Sequence, residues 1–339
     1  MLIEGNVDGQ IAIAVIGCGR WGRNLVRTFH SLPGARVVAC CNKENRERLA
    51  QMGAQYPNIS TTQNVADILE DPKIDAIVVA TPDETHFEIA KLGLTSGKHV
   101  FVEKPLALSL EETLELVGYA EAQDKILMAG HILVYHPAVQ WIKERIAGGL
   151  MNPVSVLSTR VEFGIARADA DLLWSSVVHD ISVIQFVLGA EPKEMHAIGT
   201  SLALGGPHDT LFINLLFPGA VVGHVHAGFA GPYRERRLVV HATNHIAVLD
   251  GFTGTLDVFS RVRPNVSASK REYDKEFDGG VRVELMRSKD PLTVECEHFL
   301  DCIRQKMVPL SGGEGAVAVA RTLDRIAKQI GWATARTSS

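Results

Sequence analysis

Gly17-Cys18-Gly19-Arg20-Trp21-Gly22 is a G-x-G-x-x-G run between a short apolar stretch, Ile11 to Ile16, and a helical pattern that starts at Arg20. In a strand–loop–helix setting the three glycines have separate tasks. Gly17 permits the tight turn, Gly19 lets the backbone approach a pyrophosphate, and Gly22 lets helix and strand pack closely. The pyrophosphate would rest on the free N–H groups and positive dipole end of the helix. Such a loop predicts dinucleotide binding; the plain alternative is a glycine-rich turn with no ligand. The end of the next strand chooses between NAD(H) and NADP(H), because a carboxylate there holds the ribose hydroxyls. Here the strand ends Cys40-Cys41-Asn42-Lys43. Asn42 can hydrogen-bond a ribose without repelling a phosphate. Lys43, with Arg46 beyond it, either attracts the 2′-phosphate of NADP or is a solvated loop cation. The missing carboxylate tilts the expectation toward NADP(H).

A loop of this kind needs a parallel sheet to hold it. Apolar runs at Ile11–Ile16, Arg36–Cys41, Ile74–Ala80, His99–Val102 and Ile126–Ala129 alternate with helical segments at Arg20–Leu32, Glu44–Met52 and Glu84–Thr95. Trp21, Leu25, Phe29 and Leu32 are spaced to share one helix face, and Ser109 with Glu112 reads as a capping box. Continuous apolar strands separated by amphipathic helices predict a sheet covered on both faces. Beyond about Gly130 the pattern changes. Strand-like runs at Val154–Phe163, Leu211–Phe217, Ala220–Phe229, Arg237–Ala242 and Ile246–Leu249 predict an antiparallel meander. Helices are expected at Ala138–Ala147, through Trp174, at Leu292–Gln305 and at Gly315–Ile330, with Arg263–Arg282 as a polar loop.

The 339 residues suffice for two domains, expected at 1–129 and 130–339, with the last helix able to return to the first domain. Asp plus Glu number 39 against 34 Lys plus Arg, a net charge of −5, which argues against nucleic-acid binding. No run reaches the roughly 20 apolar residues of a membrane span, and the first residues do not read as a secretory signal. Five cysteines without a CxxC pair fit a reducing, cytoplasmic setting.

The stretch Ile74 to Thr81-Pro82, then His86, then Gly97-Lys98-His99-Val-Phe-Val-Glu103-Lys104-Pro105, together with the Gly17 loop, closely resembles the glucose-fructose oxidoreductase / inositol dehydrogenase family (Gfo/Idh/MocA). Gly130-His131, Tyr135-His136-Pro137-Ala138, Leu173-Trp174 and His179-Asp180-Ile181 are similar to the branch that oxidises C3 of UDP-N-acetylglucosamine-type sugars. The resemblance implies an α/β protein, a doubly wound Rossmann domain followed by an α/β domain with a large open sheet used for substrate contact and oligomerisation. It also implies that Lys104 and His179 are the catalytic pair, and that Thr81, Pro82, His86, Glu103 and His131 join Gly17, Gly19, Arg20, Trp21, Gly22, Asn42 and Lys43 at the cofactor. Chemically the pair is sensible: an imidazole accepts a proton near neutral pH, and an ammonium at a strand's carboxyl end can donate to the alcohol oxygen. The family pattern has an Asp four residues before the histidine, where this chain has Ser175. That departure implies altered substrate use, a different base, or lost dehydrogenase activity.

Tyr135 and His136 are expected near the substrate or nicotinamide, or at a helix start. Arg160 and Arg167 are candidate cations for an anionic sugar substrate, or solvated, and Asp171 and Trp174 complete the expected substrate set. His224 and His226 alternate on one strand, but no carboxylate or Cys completes a ligand set, so no metal is expected. The expected activity is NAD(P)-dependent oxidation of a sugar hydroxyl, on a nucleotide sugar or on a cyclitol, free sugar or aminosugar. A catalytically impaired dinucleotide-binding accessory protein is the reading from another class. Strands apolar on both faces predict a homodimer or homotetramer, with neither nucleic acid nor membrane as partner.

Overall fold

The computed structural model describes residues 9–163, 172–201, 208–260, 280–285 and 289–331, which form two compact units. One comprises Met1–Tyr135 with Lys289–Arg321, the other His136–Ser288 with Thr322–Ser339. The division falls at Tyr135/His136 rather than 129/130, and Lys289–Arg321 groups with the first unit rather than the second. The helices are α1 (Arg20–Ser31), α2 (Arg46–Gln55), α3 (Ala66–Leu69), α4 (His86–Thr95), α5 (Leu110–Ala122), α6 (Pro137–Ala147), α7 (Val178–Leu188), α8 (Pro291–Gln305) and α9 (Gly313–Gln329).

In the first unit, β1 (Ile11–Ile16), β2 (Ala35–Cys41), β3 (Ser60–Thr62), β4 (Ala76–Val79), β5 (His99–Glu103) and β6 (Leu127–Gly130) form a wholly parallel sheet. Its order is β3-β2-β1-β4-β5-β6. Every residue of β1, β4 and β6 is buried, as expected of strands covered on both faces. Local chemistry sets the helix starts. The Asn45 side chain accepts the Arg48 N–H at 2.8 Å, so α2 begins at Arg46 rather than Glu44. The Ser109 hydroxyl accepts the Glu112 N–H at 3.1 Å, but the Glu112 carboxylate reaches one residue past the cap, to the Leu108 N–H at 3.3 Å. Leu25 and Phe29 on α1 are fully buried, whereas Trp21 is 38% exposed and leaves the face predicted for it.

Phe29 on α1, Phe101 on β5 and Phe299 on α8 meet edge to face, with ring centroids 5.7 to 6.3 Å apart. The chain after α8 then follows the sheet edge, where the Ala129 N–H of β6 donates to the Ser311 carbonyl at 3.0 Å. A polar edge of β6 is thereby satisfied.

The second unit holds a sheet of order β14-β13-β12-β11-β7-β10-β9-β8. Its strands are β7 (Pro153–Phe163), β8 (Glu194–Thr200), β9 (Thr210–Leu216), β10 (Val222–Gly231), β11 (Glu235–Ala242), β12 (His245–Asp250), β13 (Leu256–Ser260) and β14 (Val281–Val283). It is antiparallel except for the β7–β10 pair, which is parallel. That pair departs from the predicted meander because the chain crosses α7 and two further strands before returning beside β7. Residues 281–282 of the expected loop are in β14; 263–279 lie outside the described residues. Side chains alternate strictly on β10: Val225 and Ala227 are buried, while Val222 is exposed. The buried face carries Val156, Leu211, Ile213, Leu238 and Val240. Ahead of α7 the chain makes a π-helical turn, Leu173–Val177.

Phe299→Ala is expected to destabilise the first unit by roughly 3–5 kcal/mol in denaturant unfolding, the usual cost of truncating a buried aromatic. Unchanged stability would mean that α8 contributes nothing to that core.

Candidate functional site

In the first unit, β2 and β4 lie on opposite sides of β1, so the strand order reverses at β1/β4. Open parallel sheets bind ligands at the carboxyl edge of such a reversal. The glycine loop sits there, and its three glycines are not equivalent. Gly17 has φ +99°, and a Cβ on it would lie 2.4 Å from the Ala80 carbonyl oxygen. A Cβ on Gly22 would lie 1.8 Å from the Gly17 carbonyl oxygen. Both positions therefore exclude every other residue. A Cβ on Gly19 would meet nothing within 4 Å, so its bareness answers to no packing need of the protein. Gly19 is also the N-cap of α1 and supplies no side-chain acceptor, and the first turn has no acidic residue. The N–H groups of Arg20, Trp21 and Gly22 thus begin a helix of 12 residues with no side-chain cap over them. A dinucleotide pyrophosphate fits that cradle.

At the end of β2, the Asn42 side-chain oxygen accepts the N–H groups of Glu44 and Asn45 at 3.3 and 3.2 Å. Its acceptor is spent on shaping the loop. Lys43 is exposed, and Arg46 donates to the Gln63 side chain at 2.5 Å.

After β4, the Thr81-Pro82 loop is tied to the turn after β5 by His86. This imidazole is fully buried, with Nδ1 2.7 Å from the Pro105 carbonyl and Nε2 2.9 Å from the Thr81 carbonyl. His86 is expected as a cofactor contact, but it has no exposed surface and acts through the two loops it joins.

Glu103, the last residue of β5, is 9% exposed. Its carboxylate accepts the Trp21 indole N–H and, at 3.3 Å, the backbone N–H of Lys104. This explains why Trp21 leaves the buried face of α1. Burial raises the Glu103 carboxyl to about 7, against the pull of the indole N–H and the Lys104 charge. Gly130 lies opposite it on β6, where a Cβ would press on the Glu103 side chain at 3.3 Å. Lys104 itself is partly exposed. Its charge reaches Asp83, whose carboxyl burial raises, and His131, whose imidazole is lowered to about 4 by burial and then by Lys104. His131 is therefore neutral near pH 7, and its Nδ1 has no hydrogen-bond partner among the described residues.

Tyr135 departs from its expected substrate role. Its ring is buried, packs on His298 and shares a hydrogen bond with the Ser311 hydroxyl at 2.9 Å. It belongs to the core of the first unit. Two acids escaped sequence reasoning. Asp83 follows the Thr81-Pro82 motif directly. Glu295, on α8, is wholly buried with neither carboxyl oxygen partnered among the described residues, and burial with nearby Glu103 holds it well above the carboxylate range. A signal for it existed: Glu295 interrupts the apolar stripe Leu292, Cys296 and Phe299.

In the second unit, His136 is the N-cap of α6, its Nδ1 accepting the Ala138 N–H at 3.1 Å. Trp174 is buried in the π-helical turn. Between Leu172 and Gln185 only Ser175 and His179 are partly exposed. Arg160 is committed within the unit: it donates to both Asp180 oxygens, Nε at 2.9 Å and Nη2 at 3.1 Å. It is thus no free cation for a substrate. Arg167 and Asp171 lie outside the described residues. His224 pairs with Asn214 at 2.8 Å and His226 stacks on Phe212. Among the described residues no cluster of His, Cys, Asp or Glu is arranged to hold a metal, and no helix is long and apolar enough to cross a membrane.

The family model described as "Oxidoreductase family, NAD-binding Rossmann fold" matches residues 11–131, and the "GFO/IDH/MocA C-terminal domain" matches residues 158–248. UDP-N-acetylglucosamine 3-dehydrogenase of Acidithiobacillus ferrooxidans is 27% identical over 292 residues, 85% of this chain and 87% of that protein. Its solved structure superposes with a TM-score of 0.82, covering 95% of this chain and 98% of that one at 24% identity. The scyllo-inositol 2-dehydrogenase (NAD(+)) of Bacillus subtilis is 27% identical over 321 residues, 90% of this chain and 89% of that protein. A levoglucosan dehydrogenase, solved with NADH and levoglucosan, has a TM-score of 0.82 at 19% identity, covering 95% of this chain and 97% of that one.

Two outcomes are expected from this geometry. Gly19→Ala should leave the melting temperature unchanged yet weaken dinucleotide binding in a calorimetric titration, whereas Gly22→Ala should lower the melting temperature. Equal affinity for Gly19→Ala and wild type would remove the cradle. Second, the Glu103 carboxyl has a folded value of about 7 against an ordinary 4.5. The folded unit keeps a proton that the unfolded chain has released, so this group's contribution to stability falls as pH rises from about 4.5 to 7. Glu103→Gln should make the decline shallower in melts across that window; an identical slope would contradict the buried carboxyl.

Proposed function

Given that this chain belongs to the Gfo/Idh/MocA oxidoreductases and is an NAD-binding enzyme acting on CH–OH groups, we propose that it moves a hydride between NADP(H) or NAD(H) and a secondary hydroxyl or ketone of a sugar. The first substrate to test is a UDP-N-acetylglucosamine-type nucleotide sugar, oxidised at C3. One observation carries the reading: the bare Gly19 cradle after β1 and the partly exposed Lys104 after β5 share the carboxyl edge of one sheet.

A bound nicotinamide supplies the hydride acceptor. The glycine loop and the N–H groups of Arg20 and Trp21 hold the pyrophosphate, and the Thr81-Pro82 loop, braced by His86, borders the same edge. Lys104 donates from Nζ to the reacting oxygen and stabilises the charge that grows there as the proton leaves. His179 accepts that proton. The neutral His131 offers a nitrogen to a carboxamide or hydroxyl without adding charge beside Lys104. Trp174 supports the His179 turn, and Arg167 and Asp171 remain candidates for the sugar's polar groups.

The NADP(H) preference is supported by what stands at the end of β2, an asparagine whose oxygen faces backbone N–H groups and an exposed Lys43. A second reading rests on Ser175. It is partly exposed on the turn before His179 and brings no carboxylate to support a protonated imidazole. On that reading the chain binds dinucleotide but acts on a smaller sugar or cyclitol, or serves as an accessory protein. The exposed Ile198, Phe212 and Val222 on the open sheet face suit a second copy of this chain, giving a homodimer or homotetramer. Five buried free cysteines suit a cytoplasmic setting.

Reduced-cofactor absorbance with UDP-sugars and free polyols tests the substrate class. Lys104→Ala is expected to abolish turnover; a fully active variant would sink the mechanism. Lys43→Asp should weaken NADPH binding far more than NADH binding, and equal losses would remove the NADP(H) preference.

A further inference from the structure

The buried face of the second unit's sheet, with Val156, Val225, Ala227, Leu238 and Val240, also carries a charged contact to α7. Asp180, in the first turn of α7, is 2% exposed and accepts three hydrogen bonds from β7: the Ser158 hydroxyl at 2.6 Å, Arg160 Nη2 at 3.1 Å and Arg160 Nε at 2.9 Å. On β10, Val225 and Ala227 pair with Ser158 and Arg160, and Val156, Val178 and Ile181 flank the group in sequence, all of them buried. The Arg160 side chain is 13% exposed. A buried ion pair in such surroundings is seldom more stabilising than apolar residues of the same volume, because both charges lose their hydration. What a forked, three-bond contact does supply is a fixed direction. The residue whose direction it fixes is His179. Asp180 follows it immediately, so locking the Asp180 side chain onto β7 sets the rotation of α7 about its axis. His179 then points about 100° away around the helix, as 3.6 residues per turn require, on the side that carries the partly exposed surface. The preceding turn cannot hold this angle alone, since Leu173–Val177 is π-helical and breaks the i→i−4 ladder just before His179.

We propose that Asp180, clamped by Arg160 and Ser158, is the positioning residue that aims His179, in place of a carboxylate at Ser175. The proposal rests on the reading of His179 as proton acceptor. Its test uses the full chain with 15N-labelled histidine, with His179 ring signals assigned by their loss in His179→Ala. Two variants are compared with wild type: Arg160→Lys, which keeps the charge but loses the fork, and the triple Ser158→Ala/Arg160→Met/Asp180→Leu, which removes the three polar groups of the clamp at once. The clamp predicts one sharp set of His179 ring signals in wild type, and shifted or multiple sets in both variants while dinucleotide affinity holds. It also predicts kcat lowered on the order of 10- to 100-fold with little change in KM, more in the triple variant than in Arg160→Lys. His179 signals identical to wild type in a folded variant would overturn the clamp. Should the triple variant not fold, Arg160→Lys decides alone. If His179→Ala keeps full kcat while the ring signals respond, the proton-acceptor reading fails and the clamp remains a conformational fact. If His179→Ala is crippled and the signals do not respond, only the clamp fails.

Discussion

A single buried carboxylate holds the first unit's chemistry together. Glu103 ends β5 at the sheet's carboxyl edge, accepts the indole N–H of Trp21 from the glycine-loop helix, and accepts the backbone N–H of Lys104. The first bond ties α1 to β5; the second orients the residue proposed to contact the reacting oxygen. Such a carboxylate is costly to keep charged away from water, which is why burial lifts it to about 7. Its neighbours follow from that cost. Gly130 leaves room beside it, Lys104 offsets its charge, and burial with the nearby Glu103 holds the Glu295 carboxyl well above the carboxylate range. His131, close to the same lysine, is pushed toward its neutral form.

The second unit solves a comparable problem by a different route. Its Arg160–Asp180 pair is not at a strand end but across a strand–helix contact, and Ser158 completes the set of donors. In both units an acidic side chain is fixed by donors from a second element, and the chemically interesting residue is its sequence neighbour: Lys104 after Glu103, His179 before Asp180. A carboxylate held by two or three donors has little rotational freedom, so a neighbour in the same backbone inherits its orientation.

Much of this was legible in the chain. The alternation of wholly apolar runs with amphipathic helices identified the parallel sheet, because strands buried on both faces carry no polar period. The positions of Gly17 and Gly22 were readable because each has a steric reason that the pattern itself encodes. Illegible parts are those set by long-range contacts. Trp21 fits the helical period of Leu25 and Phe29, yet its indole N–H goes to Glu103, 82 residues away. Tyr135 and Arg160 look available for a substrate because the partners that occupy them, Ser311 and Asp180, are far along the chain. Residues Lys289–Arg321 pack in the first unit although they follow the second unit's sheet in the chain, since no local pattern states which sheet a distant amphipathic helix will cover. The π-helical turn before His179 also has no signature in a 3.6-residue period.

On the proposed function, the bare cradle at Gly19 receives a nicotinamide dinucleotide next to Trp21. Trp21 is partly exposed there, so its fluorescence reports on the loop directly. Titrating the wild-type protein with NADH and separately with NADPH should quench that emission saturably, more tightly for NADPH, and Trp21→Phe should remove most of the change. Saturable quenching with a preference for NADH would keep the cradle and cancel the role given to Lys43. No quenching and no calorimetric binding with either dinucleotide would contradict the account, leaving a Rossmann sheet with no cofactor to serve.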